Sequence, residues 1–317
     1  MTEYNSEFLP FEPPEQENVR LREENARLRR LLAAHSIPIP QLPTENPPPT
    51  KTVEPAPPVD KEERARQRIA LFRSLFRGRE DVYARRWEND DGRHGYVPAD
   101  IKDWKAINKS RPEDRKKVAQ KTRKFLPMTD AVIECHLLGE ETIGVYPLLP
   151  DETCWFLAAD FDKKTWEYDA LAFLETCKEL NVPAALERSR SGKGGHIWIF
   201  FDRAIPAITA RKLGCVLLTR TMERRHQVGL DSYDRFFPNQ DMMPKGGFGN
   251  LIALPLQWVP RKQDNSVFID PAFRPYPDQW QFLATIQRMP VDDAEEIVAE
   301  AQRKGDLIGV RPDERHR

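Results

Sequence analysis

The chain contains 317 residues with a formal net charge of −1 at pH 7, and 39% of them are hydrophobic and 31% charged. This balance predicts a globular protein of one or two domains. No apolar run approaches ~18 residues and none opens the chain, so a membrane span and a secretory signal are not expected. The four cysteines are scattered without a C-x-x-C pair, which favours reduced thiols and a cytoplasmic location over a disulfide scaffold or zinc knuckle.

The first 60 residues predict a tail with a short helix (1–36) and a spacer (37–60). Such a spacer is extended, because nine prolines lie between positions 38 and 58. The helix candidate covers 17–34, and its seam predicts a two-stranded coiled coil, hence a homodimer or a docked partner, with a solvated amphipathic helix as the alternative. The seam positions, at alternating steps of three and four, are Asn18, Leu21, Asn25, Leu28 and Leu32.

The segment 61–130 is predicted to be a basic lead-in to a core at 131–290. Between positions 61 and 126 it holds 20 Lys and Arg against 11 Asp and Glu. Helix patterns cover 61–76 and 110–126, with a loop over 88–100 between them. The charge excess favours contact with a nucleic-acid backbone, and a solvated charged face is the alternative. The candidate contacts are Lys116, Lys117, Lys121, Arg123 and Lys124.

An uncharged apolar run from Cys154 to Ala159 ends in two acidic residues. The run suits a buried strand, and alternation along a strand puts Asp160 and Asp162 on one face and Phe161 on the other. Two carboxylates on one face repel each other, so either one takes up a proton or a cation lies between them. Oxygen ligands of this kind suit Mg²⁺ or Mn²⁺.

The segments that follow predict an α+β fold in the order β-α-β-β-α-β, the RRM-like unit. In that topology the first and third strands are antiparallel neighbours, so His196 is expected beside Asp160 and Asp162. A last helix over 290–304, ended by Gly305, begins the C-terminal segment 291–317. The remaining elements of the unit are a helix over 166–180, strands over 184–188 and 196–201 around a Gly-rich turn, a helix over 206–227 and a strand over 248–256.

Three motifs in this order resemble those of the archaeo-eukaryotic primase superfamily, the primase-polymerases. They are Asp160-Phe161-Asp162, the turn from Ser191 to His196, and an Asp within LDSYDRFFPNQ. The resemblance is greater to the primase domain of TOTE conflict systems and covers roughly residues 68–290. The phrases that carry it are LFRGREDVYARRW, GVYPLL, ERSRSGKGGHIWIFF and GGFGNLIALPLQ.

The resemblance implies nucleotidyl transfer to a primer 3′-hydroxyl on a DNA template, or priming de novo, with two Mg²⁺ or Mn²⁺ ions. The metal ligands would be Asp160, Asp162 and a third Asp, with Asp234 preferred to Asp231. Larger members of the group continue into a helicase, so a helicase would act in trans. The residues expected to bind the nucleoside triphosphate are Ser191, His196, Lys193 and Arg190.

The chain departs from the pattern of its relatives at two points. Many relatives carry a cysteine cluster in the basic segment, and since this chain has none there, no zinc is expected. Eukaryote-type primases carry a Lys in the strand after the third motif. Here Ala253 holds that position, and Arg261 or Lys262 is the candidate to compensate.

Two other function classes fit part of the pattern. A non-catalytic RRM-like module would bind nucleic acid through His196, Trp198 and Phe200 on the sheet face, but it does not explain two acids on the same sheet. A metal-dependent nuclease would use the carboxylates but does not require a triphosphate-binding turn. A primer-extension assay would separate these functions. A primase-polymerase lengthens the primer, a nuclease shortens it, and a binding module leaves it unchanged.

Overall fold

A computed structural model describes Arg27 and residues 60–224 and 230–305. The chain divides into two units, residues 1–59 and 60–317, and the fold below is that of the second. Apart from Arg27 and Asp60, the predicted coiled coil over 17–34 and linker over 37–60 lie outside the described residues. Among the described helices, none has the length and apolar character needed to cross a membrane.

Helices and strands are interspersed along residues 60–224 and 230–305. The helices are α1 (Lys61–Leu75), α2 (Trp104–Lys109), α3 (Arg115–Thr122), α4 (Asp130–Leu138), α5 (Trp166–Glu179), α6 (Ala207–Arg224), α7 (Trp258–Arg261), α8 (Gln279–Thr285) and α9 (Val291–Lys304). The strands are β1 (Ala84–Glu88), β2 (His94–Pro98), β3 (Asp100–Ile101), β4 (Lys124–Phe125), β5 (Ile143–Val145), β6 (Thr153–Phe161), β7 (Ala185–Arg188), β8 (Gly195–Pro206), β9 (Tyr233–Phe237), β10 (Ile252–Ala253) and β11 (Val267–Phe268). The last helix ends at Gly305 in the left-handed conformation, as the sequence predicts.

The site is carried by a five-stranded sheet in the order β11-β7-β8-β6-β9, in which every pair of neighbours is antiparallel. The pairing of β6 with β8 sets Asp160 opposite His196, which confirms the predicted neighbourhood. On its other side, His196 is opposite Glu187 of β7. A row of polar side chains therefore crosses the centre of a mixed α/β fold.

Different helices cover the two faces of this sheet. On one face Phe161 packs against Phe173 of α5, with 5.6 Å between ring centroids. On the other face Phe76, which follows α1, packs edge-on against Trp198 and Phe200 at 5.0 and 5.4 Å. All five rings belong to one buried cluster. The helix α1, predicted to lead into the core, is thus part of it.

The fourth strand of the predicted unit is not at 248–256, and that prediction is wrong. β6 lies between β8 and β9, so β9 occupies the place expected for the fourth strand. Ile252 and Ala253 instead form β10 in a four-stranded sheet of order β10-β5-β1-β2. The Phe236 ring of β9 packs on Gly214 of α6, where an added Cβ would lie 2.6 Å from the ring. Both segments bury apolar side chains, so the choice of sheet depends on long-range packing that a local pattern does not contain.

The loop predicted over 88–100 contains a hairpin instead. Strands β1 and β2 pair antiparallel along their whole length. Asn89 Oδ1 closes the turn between them by accepting from the Arg93 N–H at 2.8 Å, and Gly92 has a φ of +77°. The Asp91-Gly92 pair is a hairpin signal that the sequence did contain.

The helix predicted over 110–126 is shorter than expected. It begins at Arg115 as α3, and the chain after it forms β4, which pairs with β3 in a two-stranded ribbon. The helix ends at Thr122 and Lys124 belongs to β4, so Arg123 and Lys124 lie beyond the helix. Residues 100–126, which comprise β3, α2, α3 and β4, are called the basic arm below.

A buried histidine joins α4 to two other segments. His136 is fully buried, its Nδ1 accepts from the Ile143 N–H at 3.2 Å, and its Nε2 donates to the Pro255 carbonyl oxygen at 2.9 Å. Burial lowers the pKa of His136 to about 4. The ring is therefore neutral in the folded protein, and both nitrogens are satisfied.

We expect the free energy of unfolding to fall as the pH falls below about 6.5, the usual histidine pKa. In the unfolded chain His136 takes up a proton there, whereas the folded chain resists protonation until its pKa of about 4. The loss from this residue between pH 7.5 and pH 5 is about 2 kcal/mol. Urea unfolding at several pH values measures it. His136→Gln cannot titrate and should show a shallower pH dependence; identical slopes would contradict the assignment.

Candidate active site

The two acids stand at the end of β6. Phe161 is fully buried, whereas Asp160 is half-buried and Asp162, just past the strand, is exposed. The Asp162 N–H donates to the Ser232 carbonyl oxygen at 2.8 Å, which ties the strand end to the turn before β9. Both residues line one cavity, although the strand ends at Phe161 and Asp162 lies just beyond it.

A break in the register of β9 brings a third carboxylate near the pair. Arg235 is opposite Asp160 and Tyr233 is opposite Phe161, which leaves Asp234 unpaired between them. A bulge of this kind redirects the side chain of the extra residue. The charge of Asp234 contributes to a raised pKa of Asp160, so the two carboxylates are within electrostatic reach.

Asp231 is in a different setting from Asp234. It lies in the turn before β9, and its carbonyl oxygen accepts from Lys163 Nζ at 2.8 Å. The turn is anchored by Asp169 of α5, whose Oδ2 accepts from the N–H and the hydroxyl of Ser232 at 3.1 and 2.5 Å. Asp169 is fully buried, and its Oδ1 has no hydrogen-bond partner among the described residues. It therefore positions the segment that leads to Asp234.

His196 lies between two carboxylates. Its Nδ1 is 3.0 Å from Glu187 Oε2, and its Nε2 is 3.6 Å from Asp160 Oδ1. Glu187 is itself buried and also accepts from Trp198 Nε1 at 2.8 Å. Burial opposes the charged ring, but the charge and hydrogen bond of Glu187 and the charge of Asp160 outweigh it and raise the pKa of His196. The hydrogen bond to Glu187 directs Nε2 towards Asp160.

The Gly-rich turn between β7 and β8 packs directly on the end of β6. A Cβ on Gly194 would lie 2.5 Å from the Phe161 carbonyl oxygen, so a glycine is needed for this approach. Gly192 has a φ of +71° and packs against the Asn265 side chain. The Ser191 hydroxyl accepts from the Lys193 N–H at 3.2 Å. The turn is thus held beside Asp160 and Asp162 from two sides.

The Gly-rich turn and the two acids line an open cavity of about 730 Å³. Four of the predicted site residues line it, namely both acids of β6, Ser191 and Lys193. His196 does not line it but contacts Asp160, which does. The full lining is Asp160, Asp162, Lys163, Lys164, Trp166, Glu167, Ser189, Ser191, Lys193 and Gly194.

Several predicted site residues lie elsewhere. Arg190 does not line the cavity: its Nε is buried without a hydrogen-bond partner among the described residues, and its charge acts on Tyr96 of β2. Arg261 and Lys262 lie at α7, where their cationic groups are 4.9 and 5.0 Å from the Trp258 ring centroid. The cations predicted to contact nucleic acid all lie on the basic arm: Lys116, Lys117, Lys121, Arg123 and Lys124.

The surroundings of Asp160 disfavour its ionisation. Burial raises the pKa of Asp160, and the charges of Asp234 and Asp162 raise it further, against the opposing charges of His196 and Arg235. Asp234 Oδ2 accepts from Arg235 Nε at 2.6 Å. In the described part of the chain, no group of three or more His, Cys, Asp or Glu side chains stands ready-made as a metal site. The geometry gathers acidic oxygens but does not close a ligand set.

Sequence reasoning missed three features of the site. Lys163 and Lys164 line the cavity, and their position directly after the acid pair was visible in the sequence. Glu187 is a charged residue within a predicted strand, and Asp169 lies beside the apolar stripe of a predicted helix. Charged side chains on elements that must be buried indicate a specific partner.

Comparisons with known proteins give one family. The family model described as "TOTE conflict system, Archaeo-Eukaryotic Primase domain" matches residues 67–297. Among solved structures, the polymerase domain of Ligase D from Mycobacterium tuberculosis, in complex with DNA, is similar at 11% identity and a TM-score of 0.34. The similarity covers 78% of this chain and 91% of that chain. No curated protein matches.

Proposed function

Since the chain belongs to the archaeo-eukaryotic primase domain family of TOTE conflict systems, we propose that it transfers nucleotides to a primer 3′-hydroxyl on a DNA template. In this reaction the 3′-oxygen bonds to the α-phosphorus of a nucleoside triphosphate, and pyrophosphate leaves as the bond to the bridging oxygen breaks. De novo priming is the same chemistry with a nucleotide in place of the primer.

One observation carries this proposal. Two acids of β6 and a serine- and lysine-bearing glycine turn line the same cavity of about 730 Å³. Acids alone would repel a triphosphate, and a basic turn alone would not activate a hydroxyl. Both groups facing one cavity match a reaction in which a polyanion must be bound beside carboxylates.

The donors at this site fit hard divalent cations such as Mg²⁺ or Mn²⁺. The fit rests on the donor set, because Asp160 and Asp162 line one cavity and Asp234 lies within electrostatic reach of Asp160, so a cation would offset their negative charge. We propose Asp160, Asp162 and Asp234 as the ligands. Two bound ions would supply charge neutralisation at the reacting phosphate and lower the pKa of the attacking hydroxyl.

The other residues of the site would bind and orient the triphosphate. Ser191 and Lys193 line the cavity from the turn, and Lys164 lines it too. His196 Nε2 is 3.6 Å from Asp160 Oδ1, so the ring would act beside that carboxylate. Glu187 accepts from Nδ1 of the same ring and keeps it in this orientation.

The sheet order β9-β6-β8-β7, with α5 and α6 in the two crossovers, supports the RRM-like β-α-β-β-α-β unit as the core of the proposed enzyme. The substitution of β9 for the predicted fourth strand keeps this order. A unit of this kind presents the centre of its sheet, here Asp160 and His196, to the ligand.

Primer extension on a labelled primer–template, with nucleoside triphosphates and Mg²⁺ or Mn²⁺, tests the proposal. We expect the primer to lengthen, and a chelator to stop it. Shortening of the primer would favour a nuclease. Binding of the primer–template without any change in primer length would favour the non-catalytic binding module.

A further inference from the structure

We infer that the basic arm, residues 100–126, binds single-stranded nucleic acid, with Trp104 as a platform on which an unpaired base stacks. This inference rests on the proposed function, because it names the partner that the arm would deliver to the site. The ligand would match two chemical features of the arm. Its polyanionic backbone suits the positive charge, and its unpaired bases suit the exposed aromatic face of Trp104.

The arm is built to be exposed. Its two ends are joined by the ribbon of β3 and β4, and α2 packs mainly against α3. All of its residues are described, and Ile107 is the one buried side chain among them. The helix α3 buries none of its side chains. The arm therefore contributes little to the hydrophobic core, and its surface is free to contact a partner.

The charge of the arm is unneutralised. It holds ten Lys and Arg against four Asp and Glu, whereas the whole chain has a net charge of −1. Within the described residues, none of the ten cations is within salt-bridge distance of a carboxylate. One of the acids, Asp103, is committed to the N-terminus of α2, where it accepts from the Ala106 N–H at 2.9 Å. Such a surface attracts a polyanion.

Trp104 favours a single strand over a duplex. The side chain is 62% exposed at the start of α2, and Lys102 Nζ lies 5.8 Å from the ring centroid. Base faces in a duplex are already stacked, so an exposed indole ring can stack only on a base that is unpaired. Lys102 places a cation over one face of the same ring, within reach of the phosphate of a nucleotide stacked there. An acidic protein would satisfy the charge but leaves the indole without a partner.

Fluorescence anisotropy of a fluorescein-labelled oligothymidylate, without nucleotide or metal, tests the inference. Trp104→Leu should weaken binding about 10-fold, the usual effect of losing one stacked base. A matched duplex should bind the wild-type chain and Trp104→Leu equally. Trp258→Leu is the control, because Trp258 is also exposed and flanked by cations but lies outside the arm.

Charge reversal tests the backbone contact separately. Binding of the wild-type chain should fall with salt by about 0.7 log units per log unit of salt for each phosphate contact. Lys116→Glu, Lys117→Glu and Lys121→Glu together should weaken binding and flatten that dependence. Their side chains are exposed, so the fold should survive.

Three results would overturn the inference: unchanged oligothymidylate binding by Trp104→Leu, an equal loss in Trp258→Leu, or displacement of the oligonucleotide by polyglutamate at an equal charge concentration. The last result would favour an acidic protein as the partner. Because these assays need no catalysis, a chain that binds through the arm but adds no nucleotide would contradict the proposed reaction and not this inference.

Discussion

Asp160→Asn and Asp162→Asn should each lower nucleotide incorporation by roughly 10³-fold or more, since each removes a carboxylate from the charge balance around the transferring phosphate. The substitutions keep the shape of the side chain. Stability should not fall in Asp160→Asn, because burial and neighbouring carboxylates already disfavour the ionised form of Asp160. Primer extension and thermal unfolding of the same preparations measure both effects.

The third acid provides the matched control for this prediction. Asp234→Asn should lose activity as the β6 variants do, because the bulge in β9 sets Asp234 near Asp160. Asp231→Asn should retain it, because the contact of Asp231 with Lys163 is made by its backbone carbonyl. The reverse result, with Asp231→Asn inactive and Asp234→Asn active, would show that the third ligand is assigned to the wrong residue.

Glu187→Gln should lower kcat/KM for the nucleotide about 100-fold, the upper range for loss of an outer partner of a metal site. Glu187 accepts from both His196 Nδ1 and Trp198 Nε1. Both donors reach the same oxygen, Glu187 Oε2, so a glutamine can keep an acceptor there but removes the negative charge. Without that charge the pKa of His196 falls, which disfavours the protonated ring beside Asp160.

A double-mutant cycle with His196→Ala tests whether Glu187 acts through the histidine. If it does, Glu187→Gln should cost little activity in the His196→Ala background. A full 100-fold loss in both backgrounds would show that Glu187 affects activity through the fold and not through His196. The unfolding transition of each variant shows directly whether the buried hydrogen bonds of Trp198 have been lost as well.

Local patterns were sufficient for the central strands. The apolar run before Asp160 and the β-prone run after Gly195 predicted β6 and β8, and the topology then predicted the contact of Asp160 with His196. These features depend on residues that are near one another in sequence or on the handedness of one crossover. The C-terminal helix ending at Gly305 was predictable for the same reason, because its stop signal is local.

Other features depend on contacts between distant segments. The bulge at Asp234 arises where β9 must pair with both Asp160 and Phe161, and nothing in LDSYDRFF shows it. In the four-stranded sheet the edge strands are β10 and β2, which are far apart in sequence. The partner of Glu187 likewise becomes visible only when β7 and β8 are paired.

The most direct test of the central claim is single-nucleotide incorporation opposite each of the four template bases. A template-directed nucleotidyltransferase should extend the primer with the complementary nucleotide in each case and should release one pyrophosphate for each nucleotide added. The Asp160→Asn chain should release none. Extension that ignores the template base, or no pyrophosphate from the folded wild-type chain with either Mg²⁺ or Mn²⁺, would contradict the account.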